Sequence, residues 1–154
     1  MHPFILFGKE HITVLGIIIL LTVSLPLLVR KYCSEKGEYY IRLILGAMIW
    51  GQEIALNIHR VVHKDWFFSN SLPFHLCRFA VLLLPVMLYK KKYALYEILY
   101  FWGLAGATQA LLTPNIEVGF PHFRFIQFFI SHGLIVFTVV YATVVWNYLP
   151  TFRS

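Results

Sequence analysis

Five apolar stretches, each close to the length of a membrane crossing and joined by short polar loops, limit what this chain can fold into. They occupy about 12–29, 39–58, 72–89, 93–112 and 123–146. Crossing roughly 30 Å of hydrocarbon takes about 20 helical residues, and a backbone in lipid must satisfy its own hydrogen bonds. An all-α, polytopic helical membrane protein of about five transmembrane helices meets both demands. Composition agrees: 59% of the 154 residues are hydrophobic and 13% are charged, against about 25% charged in a soluble domain. Disordered, collagen-like, disulfide-framework and nucleic-acid-binding classes do not fit these figures. No linker, internal repeat or low-complexity tract interrupts the series, so residues 1–154 read as a single transmembrane helical domain.

Local signals mark where the stretches start and stop. Pro73 suits the opening of the third helix, because the N–H it lacks would have no helical partner there, and Asn70 or Ser71 suits its cap. Thr113-Pro114-Asn115 closes the fourth helix and Gly119-Phe120-Pro121 introduces the fifth. Trp66, Phe67 and Phe68 fit an interfacial aromatic belt. The first stretch reads as a retained helix and not a signal peptide, since Lys9 is offset by Glu10 and no small-x-small site follows.

The net charge of +6 is distributed as short knots beside apolar runs, Arg30-Lys31 and Lys90-Lys91-Lys92. That is the pattern of cytoplasmic loops, not of a nucleic-acid-binding stripe. Lys9, Arg60, Lys64 and Arg124 fall on one side of the membrane. Arg30, Lys31, Lys36, Lys90, Lys91, Lys92 and Arg153 fall on the other, which should therefore be cytoplasmic. The expected protein lies in the cell membrane with its N-terminus outside and its C-terminus inside. Cys33 and Cys77 then sit at opposite faces, which rules out a disulfide between them.

Polar residues gather at similar depth on four of the five helices, whichever way the chain is oriented. Glu53 and Asn57 share one face of the second helix by their i, i+4 spacing. His75, Cys77 and Arg78 open the third, Thr108 and Gln109 lie near the same end of the fourth, and Gln127, Ser131 and His132 follow in the fifth. Such side chains are costly in lipid and tend to face a protein interior or a wet cavity. A thiol becomes nucleophilic on losing its proton, which an imidazole within reach can accept. Cys77 and His132 are accordingly the candidate catalytic pair, with Arg78 adding positive potential. Glu53 or Gln109 would hold the second imidazole nitrogen, and Asn57 or Gln127 would stabilise an oxyanion. The plainer alternative is that Cys77 is a small buried hydrophobe, that His132 bonds across a helix interface, and that Glu53 pairs with Arg42, Arg78 or a backbone carbonyl. His59, His63 and His122 fall in loops or at the interface. A metal site on His75, Cys77 and His132 is disfavoured, because residues two apart do not share a helical face.

The ordered series Leu72-Pro73-Phe74-His75-Leu76-Cys77, then Gln109-Ala110-Leu111-Leu112-Thr113-Pro114, then Phe120-Pro121-His122-Phe123-Arg124, then Gln127-Phe128-Phe129 and Ser131-His132-Gly133, resembles the YwaF-like bacterial membrane family. That family is related to the eukaryotic transmembrane protein 164. The resemblance runs along essentially the whole chain. It implies a cysteine-centred acyltransferase that moves acyl chains between phospholipids through an acyl-cysteine. It implies Cys77 as nucleophile and His132 as base, with His75, Glu53 and Gln109 supporting. It also implies roughly two further helices beyond residue 154. The expected partners are membrane phospholipids, and an oligomer or the absent C-terminal helices; no nucleic acid, metal or cofactor is expected. The rival expectation is a non-enzymatic protein, handling a small solute or ion or serving as an assembly module, whose polar cluster lines a cavity.

Overall fold

Helix α1 (Lys9–Tyr32) carries Glu10 in its first turn and Arg30 and Lys31 in its last, the charge order that favours a helix dipole at both ends. The computed structural model of the protein describes residues 2–64 and 76–151. Among the described residues four more helices follow: α2 (Glu35–Val62), α3 (Leu76–Lys90), α4 (Tyr93–Leu112) and α5 (Phe123–Trp146). The fold is all-α, and α1, α2 and α5 are each long and apolar enough to cross a membrane. The chain is a polytopic helical membrane protein. The bounds of α4 and α5 coincide with those expected from hydropathy. Helices α1 and α2 run past theirs, because a helix does not stop where the apolar run does. Residues 72–75, with Pro73, His75 and the expected cap, and the aromatic run 66–68, lie outside the described residues.

The connections are tight. Only Cys33 and Ser34 separate α1 from α2, and the Ser34 hydroxyl caps α2 by accepting from Gly37 N at 3.3 Å. Lys91, in a left-handed conformation with φ 46°, turns α3 into α4. The longer 113–122 connection is tied to the N-terminal segment: Phe4 N donates to Glu117 O at 3.0 Å and Gly119 N to His2 O at 2.9 Å. The Phe120–Pro121 peptide in this connection is cis. His122 caps α5, its Nδ1 accepting from Arg124 N at 3.1 Å, so this histidine does helix-terminal work. His59 lies within α2 and not in a loop, its ring stacked between His63 (4.1 Å) and Phe123 (4.4 Å).

α5 is the hub, packing against α1, α2, α3 and α4. Its sequence allows this because apolar residues surround it on every side, the pattern of a buried helix. The main core joins α2, α3, α4 and α5 through Ile49, Leu84, Met87, Leu99, Ile135 and Val139. Gly103 lets α4 approach closely, since a Cβ there would lie 3.0 Å from Ile135 Cγ2. A second cluster of Leu111, Phe125 and Phe129, backed by Phe4 and Val14, closes the end near the 113–122 connection. α1 leaves Ile12, Ile19, Leu20 and Val23 exposed, as a lipid-facing helix should.

The opposite end is held by one carboxylate. Buried Glu38 accepts from Arg42 Nε at 3.0 Å, Lys91 Nζ at 3.2 Å and Trp146 Nε1 at 2.7 Å. Tyr141 Oη adds a donor at 3.3 Å, and Arg42 Nη1 reaches the Leu88 carbonyl at 2.9 Å. α2, α3, α5 and the α3–α4 turn are thereby fastened together.

Candidate functional site

Cys77 lies in the first described turn of α3, a free, half-buried thiol packed on the main core. The neighbouring surface is α4 at Gly106, where a Cβ would come within 3.2 Å of Cys77 Sγ. Gly106 thus provides the room the thiol occupies, and any larger residue would press on the sulfur. Because α4 and α5 are antiparallel and Gly103 faces Ile135, three residues further along α4 correspond to three residues back along α5. Gly106 therefore falls level with His132, and Cys77 with both.

His132 Nδ1 sits 2.8 Å from the Phe128 carbonyl oxygen. A carbonyl only accepts, so the imidazole carries its proton on Nδ1 and presents an unprotonated Nε2. That is the tautomer a general base requires. The ring also lies against Phe128, centroids 4.3 Å apart. Among the described residues neither Glu53 nor Gln109 bonds this imidazole; the backbone one turn back holds Nδ1, because the i−4 carbonyl is the acceptor nearest a helical side chain. Among the described residues no hydrogen bond joins Cys77 to His132.

The amides and the carboxylate are occupied locally. Gln109 is exposed and donates to Thr113 Oγ1 at 2.7 Å. Asn57 Nδ2 donates to Glu53 O at 2.8 Å and to Glu53 Oε1 at 3.3 Å. Its amide nitrogen is thus engaged with Glu53 in this structure. Gln127 Nε2 bridges α5 to α2 by donating to Gln52 Oε1 at 2.9 Å, and Gln52 in turn donates to Ile49 O at 3.1 Å. Nor does Glu53 pair with Arg42, which is engaged by Glu38. His75 lies outside the described residues. Gathered near one level are Cys77, Gly106 and His132; turned away from them is Gln109. Among the described residues no group of three or more His, Cys, Asp or Glu stands ready to hold a metal ion.

Two grooves flank the site. One, of about 510 Å³, runs between α2 and α3 and is lined by Trp50, Glu53, Ile54, Asn57, Ile58, Val61, Val62 and Leu82. The other, of about 640 Å³, is almost wholly apolar and lies chiefly between α1 and α5, with Ile17, Leu21, Phe129 and Phe137 among its walls. Neither is lined by Cys77 or His132 themselves. Arg78, one turn before Leu82 on α3, has its Nη1 buried and without a hydrogen-bond partner among the described residues. The charges of Arg78, Arg124 and Glu53 all act on Arg60.

A model of the TMEM164 family matches residues 6–154. An uncharacterized protein of Treponema pallidum (strain Nichols) is 27% identical over 147 residues, an alignment covering 90% of this chain. This chain spans 58% of that relative's length. No solved structure matches.

Proposed function

The chain belongs to the TMEM164 family, and from that premise we propose that it is a membrane-embedded acyl-transfer enzyme acting on phospholipids. Cys77 is the nucleophile and His132 the base. The observation that carries this reading is the tautomer of His132, with Nδ1–H held by the Phe128 carbonyl and Nε2 left as acceptor, at the level of a thiol seated against Gly106. His132 Nε2 takes the thiol proton as Sγ attacks the ester carbonyl of a lipid. The C–S bond forms, the ester C–O bond breaks, and the imidazolium returns its proton to the departing lysolipid oxygen. A second lysolipid hydroxyl, or water, then attacks the thioester with His132 again as base, restoring the thiol. The chemistry needs no nucleotide and no metal.

We place the protein in the cell membrane with its N-terminus outside, from the excess of Lys and Arg at the α1–α2 and α3–α4 turns. A second copy, or further helices, completes the assembly. One observation favours a non-enzymatic second reading: Glu53, Asn57, Gln52 and Gln127 satisfy one another across and along helices, as they would in a protein that merely packs or lines a cavity.

Intact mass spectrometry after incubation with phospholipid separates the two. The enzyme reading expects a hydroxylamine-sensitive acyl adduct that is absent in Cys77→Ala and fails to form in His132→Ala. An unmodified mass, for this chain and for one extended to the length of its relative, would sink the acyl-transfer reading. Tolerance of Cys77→Ser together with intolerance of Glu53→Gln would favour the second.

A further inference from the structure

Helices α1 and α5 run the same way: Ile18 meets Gly133, where a Cβ would come within 3.2 Å of it, and further along both Arg30 Nη1 reaches Val144 O at 3.3 Å. Beside this seam lies the groove of about 640 Å³, lined by Phe129, Gly133 and Phe137 of α5, by Ile17 and Leu21 of α1 and by Met48 of α2. Along α1 it extends from Lys9 to Thr22, about 20 Å at 1.5 Å per residue. Its mean cross-section is therefore about 30 Å², whereas a helix about 10–12 Å across fills about 80–110 Å². The groove is too narrow to take in another helix. An extended hydrocarbon chain fits, and the length exceeds the half of a roughly 30 Å bilayer interior that one acyl chain spans. One end of the trough is charged. With 24 residues, α1 is about 36 Å long, so its first residue, Lys9, reaches the headgroup layer. Lys9 is exposed and lines the groove. Glu10 lines it too, but its carboxylate is turned to the 113–122 connection, Oε2 accepting from Phe120 N at 3.0 Å. The charge left at the mouth is the lysine ammonium, the complement of an anionic headgroup.

We propose that the α1–α5 groove holds one membrane phospholipid, an acyl chain lying along Ile17 and Leu21 and the phosphate at Lys9. This lipid is a structural one and not the substrate. Gly133 lines the groove, and His132, the residue before it, points about 100° away around α5; neither His132 nor Cys77 is among the lining residues. The lipid fills the space beside α1, whose main packing is on α5, and gives that helix a second apolar surface to rest on. The inference is independent of the acyl-transfer reading and stands whether or not Cys77 is a nucleophile.

The test is lipid retention by the full chain in nonionic detergent, read by native mass spectrometry. The probes are phosphatidylglycerol and a diacylglycerol with the same acyl chains. One phosphatidylglycerol per chain is expected to be retained, about fivefold more tightly than diacylglycerol, the scale of one lysine against an anionic headgroup. Lys9→Gln should remove that preference and leave chain binding in place. Ile17→Trp, at an exposed position on the groove wall, should fill the trough and weaken retention of both probes at least about tenfold, the scale of two methylenes returned to water. Leu21→Trp, exposed on the same wall, is the second variant and should act in the same direction. Ile19→Trp, exposed on α1 but outside the groove, should bind as the parent does. Parent-like retention in Ile17→Trp and Leu21→Trp, or an equal loss in Ile19→Trp, would overturn the groove as the site. Equal affinity of the parent for the two probes would overturn the headgroup contact at Lys9. A dimer mass that Ile17→Trp converts to monomer would give the groove to a second copy and overturn the lipid. Retention should be unchanged in Cys77→Ala, and its loss there would move the lipid to the thiol and overturn the structural site.

Discussion

His11 shows what a single side chain does in this fold. Completely buried, it accepts from Phe7 N at Nδ1 (3.0 Å), which leaves Nε2–H to donate to the Leu111 carbonyl at 2.8 Å. The end of α4 has carbonyls without helical donors, and His11 satisfies one of them from α1. Phe4, Phe7 and Phe129 surround its ring at 5.3–5.6 Å. His11→Ala removes both bonds and leaves a cavity, so a loss of about 2–4 kcal/mol is expected. Unfolding in detergent micelles measures it, and a loss below about 0.5 kcal/mol, the scale of an inconsequential surface change, would deny His11 this role. Gly106 offers the complementary test at the candidate site. Gly106→Val drives a branched side chain into the space of Cys77 Sγ, 3.2 Å from a bare Cβ. Alkylation of Cys77 by a lipid-soluble thiol reagent should slow several-fold while that of exposed Cys33 stays unchanged. Equal rates at Cys77 in the variant and the parent would mean that α4 does not confine the thiol.

Among the elements, α2 illustrates how a helix can carry polar residues through a membrane protein. Its buried positions Glu38, Leu45, Ile49 and Leu56 recur at intervals of seven, four and seven, one stripe facing α3 and α5. At one end of that stripe Glu38 gathers Arg42, Lys91, Tyr141 and Trp146. At the other end Glu53 and Asn57 bond each other, and Gln52 receives Gln127 from α5. Glu38→Ala leaves Arg42 without its ion pair, holding only the Leu88 and Tyr89 carbonyls, and frees Trp146. A destabilisation of about 2–4 kcal/mol is expected, because removing one member of a buried charge network leaves the others unpaired. Thermal unfolding of the purified variant checks this, and a variant as stable as the parent would show that apolar packing alone joins α2 to α5. In α1, Pro26 lacks the N–H that the Thr22 carbonyl would otherwise accept. Buried Thr22 Oγ1 is also without a partner among the described residues, so this turn is held by packing on α5 rather than by its own ladder.

For the whole molecule, the arrangement turns on α5, against which every other helix packs. The proposed orientation is checked by labelling Cys33 with a membrane-impermeant maleimide in intact cells. Cys33 is exposed at the α1–α2 turn and should react only after permeabilisation; reaction in intact cells would invert the topology. The all-helical architecture and the bounds of α4 and α5 were legible from hydropathy, because the length of hydrocarbon to be crossed dictates the length of an apolar run. So too was the set of polar residues that lipid does not tolerate, from Glu53 to His132, since the cost of desolvating them is a property of each residue. Their partners were not legible. Nothing in the sequence singles out Glu38, yet with Arg42 it forms the clamp at one end, while Gln109, grouped with the site by depth, faces outward. Depth along a helix follows from counting residues, but the direction a residue faces depends on which helices stand beside it. That is set by long-range packing, by glycines such as Gly103 and Gly106 that admit a neighbour, and by bonds such as His11 to Leu111. Hydropathy and residue type dictate a bundle of apolar helices with a costly polar level inside it. Packing between helices brings Cys77 to Gly106, His11 to the end of α4 and Gln127 to Gln52, because each of these contacts joins residues that no local spacing relates.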